Sequence, residues 1–212
     1  MGKQMNQKMG VVLISSLLLL GLANLAIAPL QTAIADVIAP QPQPTQPNRM
    51  TAQNTTVSPK LINANTRFGF KLFSAVAKQD AGKNIFISPS SVAIALAMAY
   101  NGANGETQQA MAQAMELQGI SLQALNQANA TLKTLLANPD ADVQLAIANS
   151  LWTRQGISFQ PEFLQRNRQF YQAKVSELDF GNPRSVAIIN TWVSQSTRGK
   201  IDTIIDSIDP ND

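Results

Sequence analysis

Residues 84–107 read NIFISPSSVAIALAMAYNGANGET, and this stretch decides the fold prediction. The run at 84–87 is rich in strand-forming residues. It is followed by Ser88, a preferred helix N-cap residue, and by Pro89 at the first helical position. From Pro89 to Tyr100 apolar residues alternate with alanine, which favours a helix over a strand. Because this helix would be apolar on every side, we expect it to be buried in the centre of a domain.

Helical patterns lie on both sides of this stretch. Upstream, Asn65 is a candidate N-cap for a helix that ends at Gly82, and one face of that helix carries Phe68, Leu72, Phe73 and Val76. Downstream, the NGANG turn at 101–105 offers glycine for positive φ angles and leads into a short helix at 106–115. Leucines at 122, 125, 132, 135 and 136 predict an amphipathic helix, which Asn138-Pro139 ends.

The third quarter of the chain adds strands. Apolar residues at 143, 145, 147 and 151 alternate with other types, which predicts a strand leading into Trp152. A helix is expected at 161–171, a second strand at 174–180, and a helix from Asn182-Pro183 that Gly199 closes. The apolar face of this last helix is formed by Val186, Ile189, Trp192, Val193 and Ser196. Helices interleaved with two strands predict an α+β domain with an incomplete sheet, since two strands cannot satisfy their own edges.

Composition excludes several classes of function. The 212 residues are 45% hydrophobic and 14% charged, which suits one folded domain. The net charge of +3 contains Lys3 and Lys8, which precede every acidic residue, so removal of residues 1–35 leaves +1. The remaining Lys and Arg residues are scattered, and no basic stripe that could follow a nucleic-acid backbone is present.

Histidine and cysteine are both absent from the sequence. A disulfide framework, a thiol nucleophile, a zinc cluster and a Ser-His-Asp triad are therefore excluded. The acidic residues near Asp140 and in the tail from Asp202 lack the convergent ligands of a calcium loop. We expect neither a metal nor a cofactor, and we do not expect an enzyme.

The N-terminus is typical of a signal peptide. Lys3 and Lys8 precede an apolar stretch at 11–28, and small-x-small sites end at Ala28 and Ala35. Pro29 would obstruct cleavage at the first site, so cleavage after Ala35 and export to the periplasm or the extracellular space are expected. The alternative is an uncleaved membrane anchor, since 18 residues are at the lower limit for a spanning helix.

Residues 36–63 form a predicted linker, rich in Pro, Gln and Thr, between the leader and a domain at 64–212. Alternating Pro and Gln cannot sustain a strand ladder or a packed helix, which predicts an extended spacer.

Two blocks of the sequence together resemble the serpin family of serine protease inhibitors. The first is residues 84–107, and the second, at 147–201, contains IANSLW, YQAKVSELDF and IINTWVSQSTRGKI. The resemblance implies a serine or cysteine protease as partner. It also implies inhibition by a cleaved loop that inserts as an extra strand into the central sheet. A complete serpin domain is more than twice as long, with its reactive loop near the far end, so we expect an N-terminal portion that is inactive or partial. The alternative is a non-inhibitory remnant that binds through open sheet edges.

The resemblance also carries over to individual residues. Ser88, Pro89 and Ser91 match the family's shutter, a polar patch beneath the sheet where strands separate. The simpler interpretations are a helix N-cap for Ser88 and an ordinary first-turn residue for Ser91. The two strands resemble the second and first strands of the family's sheet, and the helix ending at Gly199 resembles the helix that lies across it. Residues on the family pattern, most of them expected to specify the fold, are Asn84, Phe86, Gly102, Gly105, Thr107, Asn149, Trp152, Asn190, Trp192, Thr197 and Gly199.

Overall fold

The computed structural model describes residues 11–20, 56–137 and 144–209, the first of these for its backbone. The predicted cleavage site after Ala35, Lys3 and Lys8, and the Pro/Gln-rich part of the predicted linker lie outside the described residues. None of the described helices combines the length and the apolarity needed to cross a membrane.

Six helices and three strands occur in the described part of the chain. The helices are α1 Pro59–Gln79, α2 Pro89–Tyr100, α3 Gly105–Ala114, α4 Leu122–Ala137, α5 Pro161–Tyr171 and α6 Arg184–Ser196. The strands are β1 Val11–Leu20, β2 Gln144–Arg154 and β3 Lys174–Leu178. The predicted α+β class is confirmed.

The strands form one sheet in the order β1-β2-β3. β2 and β3 are parallel, with Ser150 opposite Lys174 and Arg154 opposite Leu178, and α5 makes the crossover between them. β1 is antiparallel to β2 over ten residue pairs. The sheet therefore has one more strand than the sequence predicted, and the extra strand comes from the apolar segment assigned to the leader.

β2 is covered by side chains on both of its faces. Leu151 packs on one face in a cluster with Met98 of α2 and Leu125 of α4. Trp152 packs on the other face with Ile189 and Val193 of α6. Because successive side chains of a strand point to opposite faces, these two neighbours anchor two separate cores. The predicted burial of α2 is confirmed for the face that carries Ile94 and Met98, but not on every side, because Val92 is 37% exposed.

Helix α1 begins earlier than predicted. Ser58 occupies its N-cap position and Pro59 its first turn, so Asn65 lies inside the helix and is not its cap. The prediction missed this start because the Ser-Pro pair, a recognised N-terminal signal, adjoins the Thr-rich part of the predicted linker. Residues 59–63 are consequently helical.

Two predicted strand boundaries also require correction. Residues 84–87 form no ladder with any described residue, because β propensity produces a strand only where a partner is available. β3 ends at Leu178 and not at Phe180, since Asp179 turns the chain: its carbonyl accepts a 2.6 Å bond from the Ser185 hydroxyl. Phe180 is then buried in the cluster around Trp152.

Candidate functional site

The predicted shutter residues lie at the start of α2. Ser88 is in the N-cap position with φ −115° and ψ 91°, and Pro89 begins the helix. The Ser88 side chain makes no capping bond, and its Oγ lies 2.8 Å from Oγ of Ser91 and 3.4 Å from Oγ of Ser90. The N-cap position is therefore confirmed, while the hydroxyl bonds another hydroxyl. Hydroxyls are both donors and acceptors, so such a pair can exchange partners without leaving either group unbonded.

A buried polar network joins α2, α4 and α5. The amides of Asn101 and Asn126 exchange hydrogen bonds of 3.1 and 2.7 Å between their nitrogen and oxygen atoms. The Tyr171 hydroxyl donates to Oδ1 of Asn126 over 2.7 Å and accepts from Nδ2 of Asn129 over 3.3 Å. All four side chains are buried. Because buried polar groups must be paired, this network fixes the relative positions of the three helices.

The carbonyl of Tyr171 connects the network to the sheet. It accepts a 2.8 Å bond from Nδ2 of Asn149 on β2 and a 3.1 Å bond from Nζ of Lys133 on α4. These donors satisfy a carbonyl in the last turn of α5, just before Gln172 adopts a left-handed conformation with φ 49°. Asn149 thus binds β2 to α5, while its own Oδ1 has no hydrogen-bond partner among the side chains that the structure describes.

Burial changes two pKa values in this region. It raises the pKa of Tyr171 to about 12, against a smaller opposing effect of its hydrogen bonds to neighbouring amides. Burial also lowers the pKa of Lys133. The Tyr171 hydroxyl is therefore neutral at physiological pH and keeps the proton that it donates to Asn126.

Two family-pattern tryptophans, one on β2 and one on α6, pack against each other. The rings of Trp152 and Trp192 are 5.9 Å apart with an edge-to-face angle of 79°. Nζ of Lys174 lies 5.1 Å from the centroid of the Trp152 ring, within the range of a cation–π contact. Trp152 is fully buried, and no described residue accepts a hydrogen bond from its Nε1.

The end of α6 is held by three further family-pattern residues. Nδ2 of Asn190 donates to the Ile205 carbonyl over 2.8 Å, and its Oδ1 accepts from the Ile204 amide over 2.9 Å. Thr197 accepts a 3.1 Å bond from the Ile201 amide. Gly199, with φ 70°, donates to the Ser194 carbonyl over 2.7 Å, as predicted for a helix-terminating glycine. Together they attach the segment at 201–205 to α6, where Ile201 and Ile205 pack against the cluster around Trp152.

The remaining family-pattern residues are dispersed. A Cβ atom at Gly102 would lie 2.9 Å from the Phe163 ring, so only glycine fits there without displacing that ring. Gly105 has a positive φ of 55° at the start of α3. Asn84 and Thr107 are exposed and are not brought to the shutter.

An apolar groove of about 540 Å³ lies between α1 and the extended residues 85–87. Its aromatic lining is exposed: Phe86 by 97%, Phe70 by 71% and Phe73 by 47%. Exposed clusters of large apolar side chains mark binding surfaces far more often than ordinary protein surface. Phe73, predicted to face the core, lies here.

The sequence interpretation did not identify the buried asparagines. Asn126 and Asn129 lie on the same face of α4 as Leu125, at the i, i+3 and i+4 spacing typical of a buried stripe. Asparagines on the buried face of a helix must be hydrogen-bonded, so their position in the sequence could have predicted a pairing of amides. Among the described residues, no group of three or more Asp, Glu, His or Cys side chains converges to bind a metal.

Comparison with known proteins identifies the family. The profile described as serpin (serine protease inhibitor) matches residues 63–212. The chain belongs to the serpin family. This serpin is 35% identical over 150 residues to the leukocyte elastase inhibitor of Bos taurus, an alignment that covers 70% of this chain and 39% of that relative. It is 34% identical over 152 residues to an uncharacterised serpin-like protein of Thermococcus kodakarensis, covering 71% of this chain and 35% of the relative.

Solved structures agree with the serpin fold. The crystal structure of tengpin, a thermophilic serpin in the latent state, superposes with a TM-score of 0.67 and 35% identity. The superposition covers 74% of this chain and 42% of tengpin. The chain thus spans about two fifths of the length of these relatives, whose family is described as one of serine protease inhibitors.

Proposed function

We propose that this polypeptide supplies the N-terminal part of a serpin-type inhibitor of serine or cysteine proteases, and that the 212 residues by themselves trap no protease. The observation that carries the proposal is that residues 63–212 match the family, while the alignment with the leukocyte elastase inhibitor covers only 39% of that inhibitor. The resemblance places the protease-cleaved loop in the remaining part. Without that loop a protease has no bond to cleave and no acyl link to the inhibitor.

The apolar groove between α1 and residues 85–87 supports this proposal. Phe86 at 97% exposure would be costly to leave in water, since burying a phenylalanine side chain gains about 1.5–3 kcal/mol. A polypeptide that completes the domain would gain this energy by covering Phe70, Phe73 and Phe86.

In the proposed inhibitor, Ser88, Pro89 and Ser91 act as the shutter. The 2.8 Å contact between the hydroxyls of Ser88 and Ser91 supports this role, because two hydroxyls can exchange bonds as strands separate above them. The helix α6, attached through Trp152 and Trp192, corresponds to the element that must yield when a strand inserts.

Incubation with one elastase-like and one trypsin-like protease tests the absence of trapping. We expect full protease activity and no adduct that survives SDS, with a full-length serpin as the positive control. A one-to-one adduct of the 212-residue chain that survives SDS would refute the proposal.

A complementation experiment tests the role of the groove. The full chain is co-expressed with the remaining part of the domain taken from tengpin, whose matched part is 35% identical. We expect the two polypeptides to co-purify, and Phe86→Ser to weaken this association. Ile204→Ser, which changes another exposed apolar residue outside the groove, is the matched control and should leave it unchanged. Equal loss with both variants would remove the groove from the proposal.

We also propose that the chain is exported. The support is the order of Lys3, Lys8, the apolar stretch and the small-x-small sites. N-terminal sequencing of the exported protein should begin at Asp36, whereas an intact Met1 on a membrane-bound protein would favour the anchor.

The alternative function, a non-inhibitory module that pairs through sheet edges, is favoured by one observation. Among the described residues, β3 has a strand neighbour only on its β2 side. An unpaired edge can recruit another chain. Light scattering distinguishes the two, since a concentration-independent monomer contradicts edge-driven association.

A further inference from the structure

The edge of β2 opposite β3 already has an occupant within the chain. Val11–Leu20 pairs with 144–153 in one continuous antiparallel register, from Val11 opposite Thr153 to Leu20 opposite Gln144. This is the same apolar stretch whose sequence is typical of a signal peptide. The segment can therefore occupy two mutually exclusive locations: a membrane, as a signal peptide would, or the edge of the sheet.

β2 depends on this partner over half of its length. β3 pairs only with residues 150–154. Residues 144–149 have no described strand neighbour other than β1. Without β1, the N–H and C=O groups on this side of β2 would form an unpaired sheet edge, to which another strand could pair.

The sequence of β1 suits that position. VVLISSLLLL contains no charged residue, proline or glycine, and its first half is rich in β-branched residues. Ser15 and Ser16 are its polar residues, and they are in register with Asn149 and Ala148. Because VVLISSLLLL has no alternation of apolar and polar residues, its sequence alone does not select one register, and the register that the structure shows is tested below.

The connection allows the pairing to occur within one molecule. Residues 21–58 join β1 to α1, and an extended chain spans about 3.3–3.6 Å per residue, so the connection can reach the sheet. A tethered strand experiences an effective concentration in the ~mM range, which a free competitor must exceed.

We propose that Val11–Leu20 is a built-in, removable cover for the acceptor edge of β2. While the leader is attached, it fills the edge and prevents another strand from pairing there. Cleavage after Ala35 separates the cover from the chain, so that the edge opens only once the leader has been removed. The pairing does not depend on the proposed inhibition, because it is measured without a protease, whereas removal of the cover rests on the proposed cleavage after Ala35.

Engineered cysteines test the register in the full chain, which contains no native cysteine. Residues opposite each other in an antiparallel pair are about 4.5–5.5 Å apart at Cα, within the ~4.4–6.8 Å that a disulfide requires. Ser16→Cys with Ala148→Cys is one matched pair, and Leu18→Cys with Ala146→Cys is a second. Ser16→Cys with Ala146→Cys is the control, displaced by two residues on the same face of β2, at about 7–8 Å.

The readout uses a specific protease site inserted in the Pro/Gln-rich stretch. After oxidation of dilute protein and cleavage at that site, the matched pairs should hold the leader fragment on a non-reducing gel, with near-complete loss of the free fragment. The control should release it, and reduction should release it from all three variants. Near-ultraviolet circular dichroism of the Trp152–Trp192 pair, compared with that of the unsubstituted chain, shows that each reduced variant is folded.

Three results would overturn the proposal. They are release of the fragment from both matched pairs, equal retention by the displaced control, and disulfide-linked dimers of the full chain in place of internal links. The last would assign the edge to a second copy.

Discussion

Two sides of this domain differ in how well their apolar side chains are buried and their polar groups are paired. On the inner side, α2, α4, α5 and β2 enclose Leu151 and Met98, and the amides of Asn101 and Asn126 are paired with each other. On the outer side of α1, Phe70 and Phe86 are exposed beside a backbone segment without a strand partner. The difference shows that the helical core is closely packed and paired, whereas the α1 side leaves large aromatic side chains exposed, which is the surface that the proposed function assigns to further polypeptide.

The largest stability effect is expected at Trp152, between β2 and α6. Trp152→Ala removes a fully buried ring and should destabilise the protein by about 3–5 kcal/mol in urea unfolding. Trp192→Ala is the matched control, because Trp192 is only half-buried and should cost less. Equal losses would mean that the complete burial of Trp152 between β2 and α6 does not set the cost of removing its ring.

A medium effect is expected at Tyr171, in the polar network. Tyr171→Phe leaves the amides of Asn126 and Asn129 without their shared partner and should cost about 1–3 kcal/mol.

The native protein should also lose stability from pH 10 towards pH 12, because the pKa of Tyr171 is 10.0 in the unfolded chain and about 12 in the folded one. This loss is at most about 3 kcal/mol and should be missing from the variant. Unfolding measured at pH 8 and pH 11 checks both points. Identical pH dependence of the two proteins would show that Tyr171 ionises as freely in the folded state as in the unfolded one.

A smaller effect on stability distinguishes two interpretations of Ser88: a member of a hydroxyl pair with Ser91, or a simple helix N-cap. Ser88→Ala and Ser91→Ala each remove one side of a shared hydrogen bond, so the second substitution should add little to the first. We expect a coupling of about 0.5–1 kcal/mol in a double-mutant cycle. Because Oγ of Ser90 also lies 3.4 Å from Oγ of Ser88, the cycle is repeated in the Ser90→Ala background, where the coupling between Ser88 and Ser91 should persist. Additive losses would favour a simple N-cap at Ser88.

The smallest effect is expected on the exposed side. Phe86→Ser should change the free energy of unfolding by no more than about 0.5 kcal/mol, because a residue that is 97% exposed contributes little packing in this chain. Solubility should rise as the apolar surface shrinks. A loss comparable to that of Tyr171→Phe would show that the groove is occupied, which would end the comparison between the two sides.

The sequence predicted those features whose causes are local. The bounds of α2 and α5 are as predicted, because Pro89 and Pro161 mark the first helical residues and the turns that follow break the pattern. The family blocks also identified the residues that hold α6, among them Asn190 and Gly199.

Features that depend on distant partners were not predictable in this way. β1 was assigned to a leader because its pairing with β2 is visible only in three dimensions. The run at 84–87 has the composition of a strand and lacks a partner among the described residues. The roles of Asn126 and Tyr171 arise from contacts across 45 positions of sequence, which no local pattern encodes.

Hydrogen exchange of the full chain tests the contrast between the two sides most directly. Amides inside α2 and α5 should exchange only through global unfolding, whereas the amides of 84–87 should exchange within the dead time of the experiment. Protection of 84–87 equal to that of α2 would contradict the account, because it would mean that the α1 side is already covered.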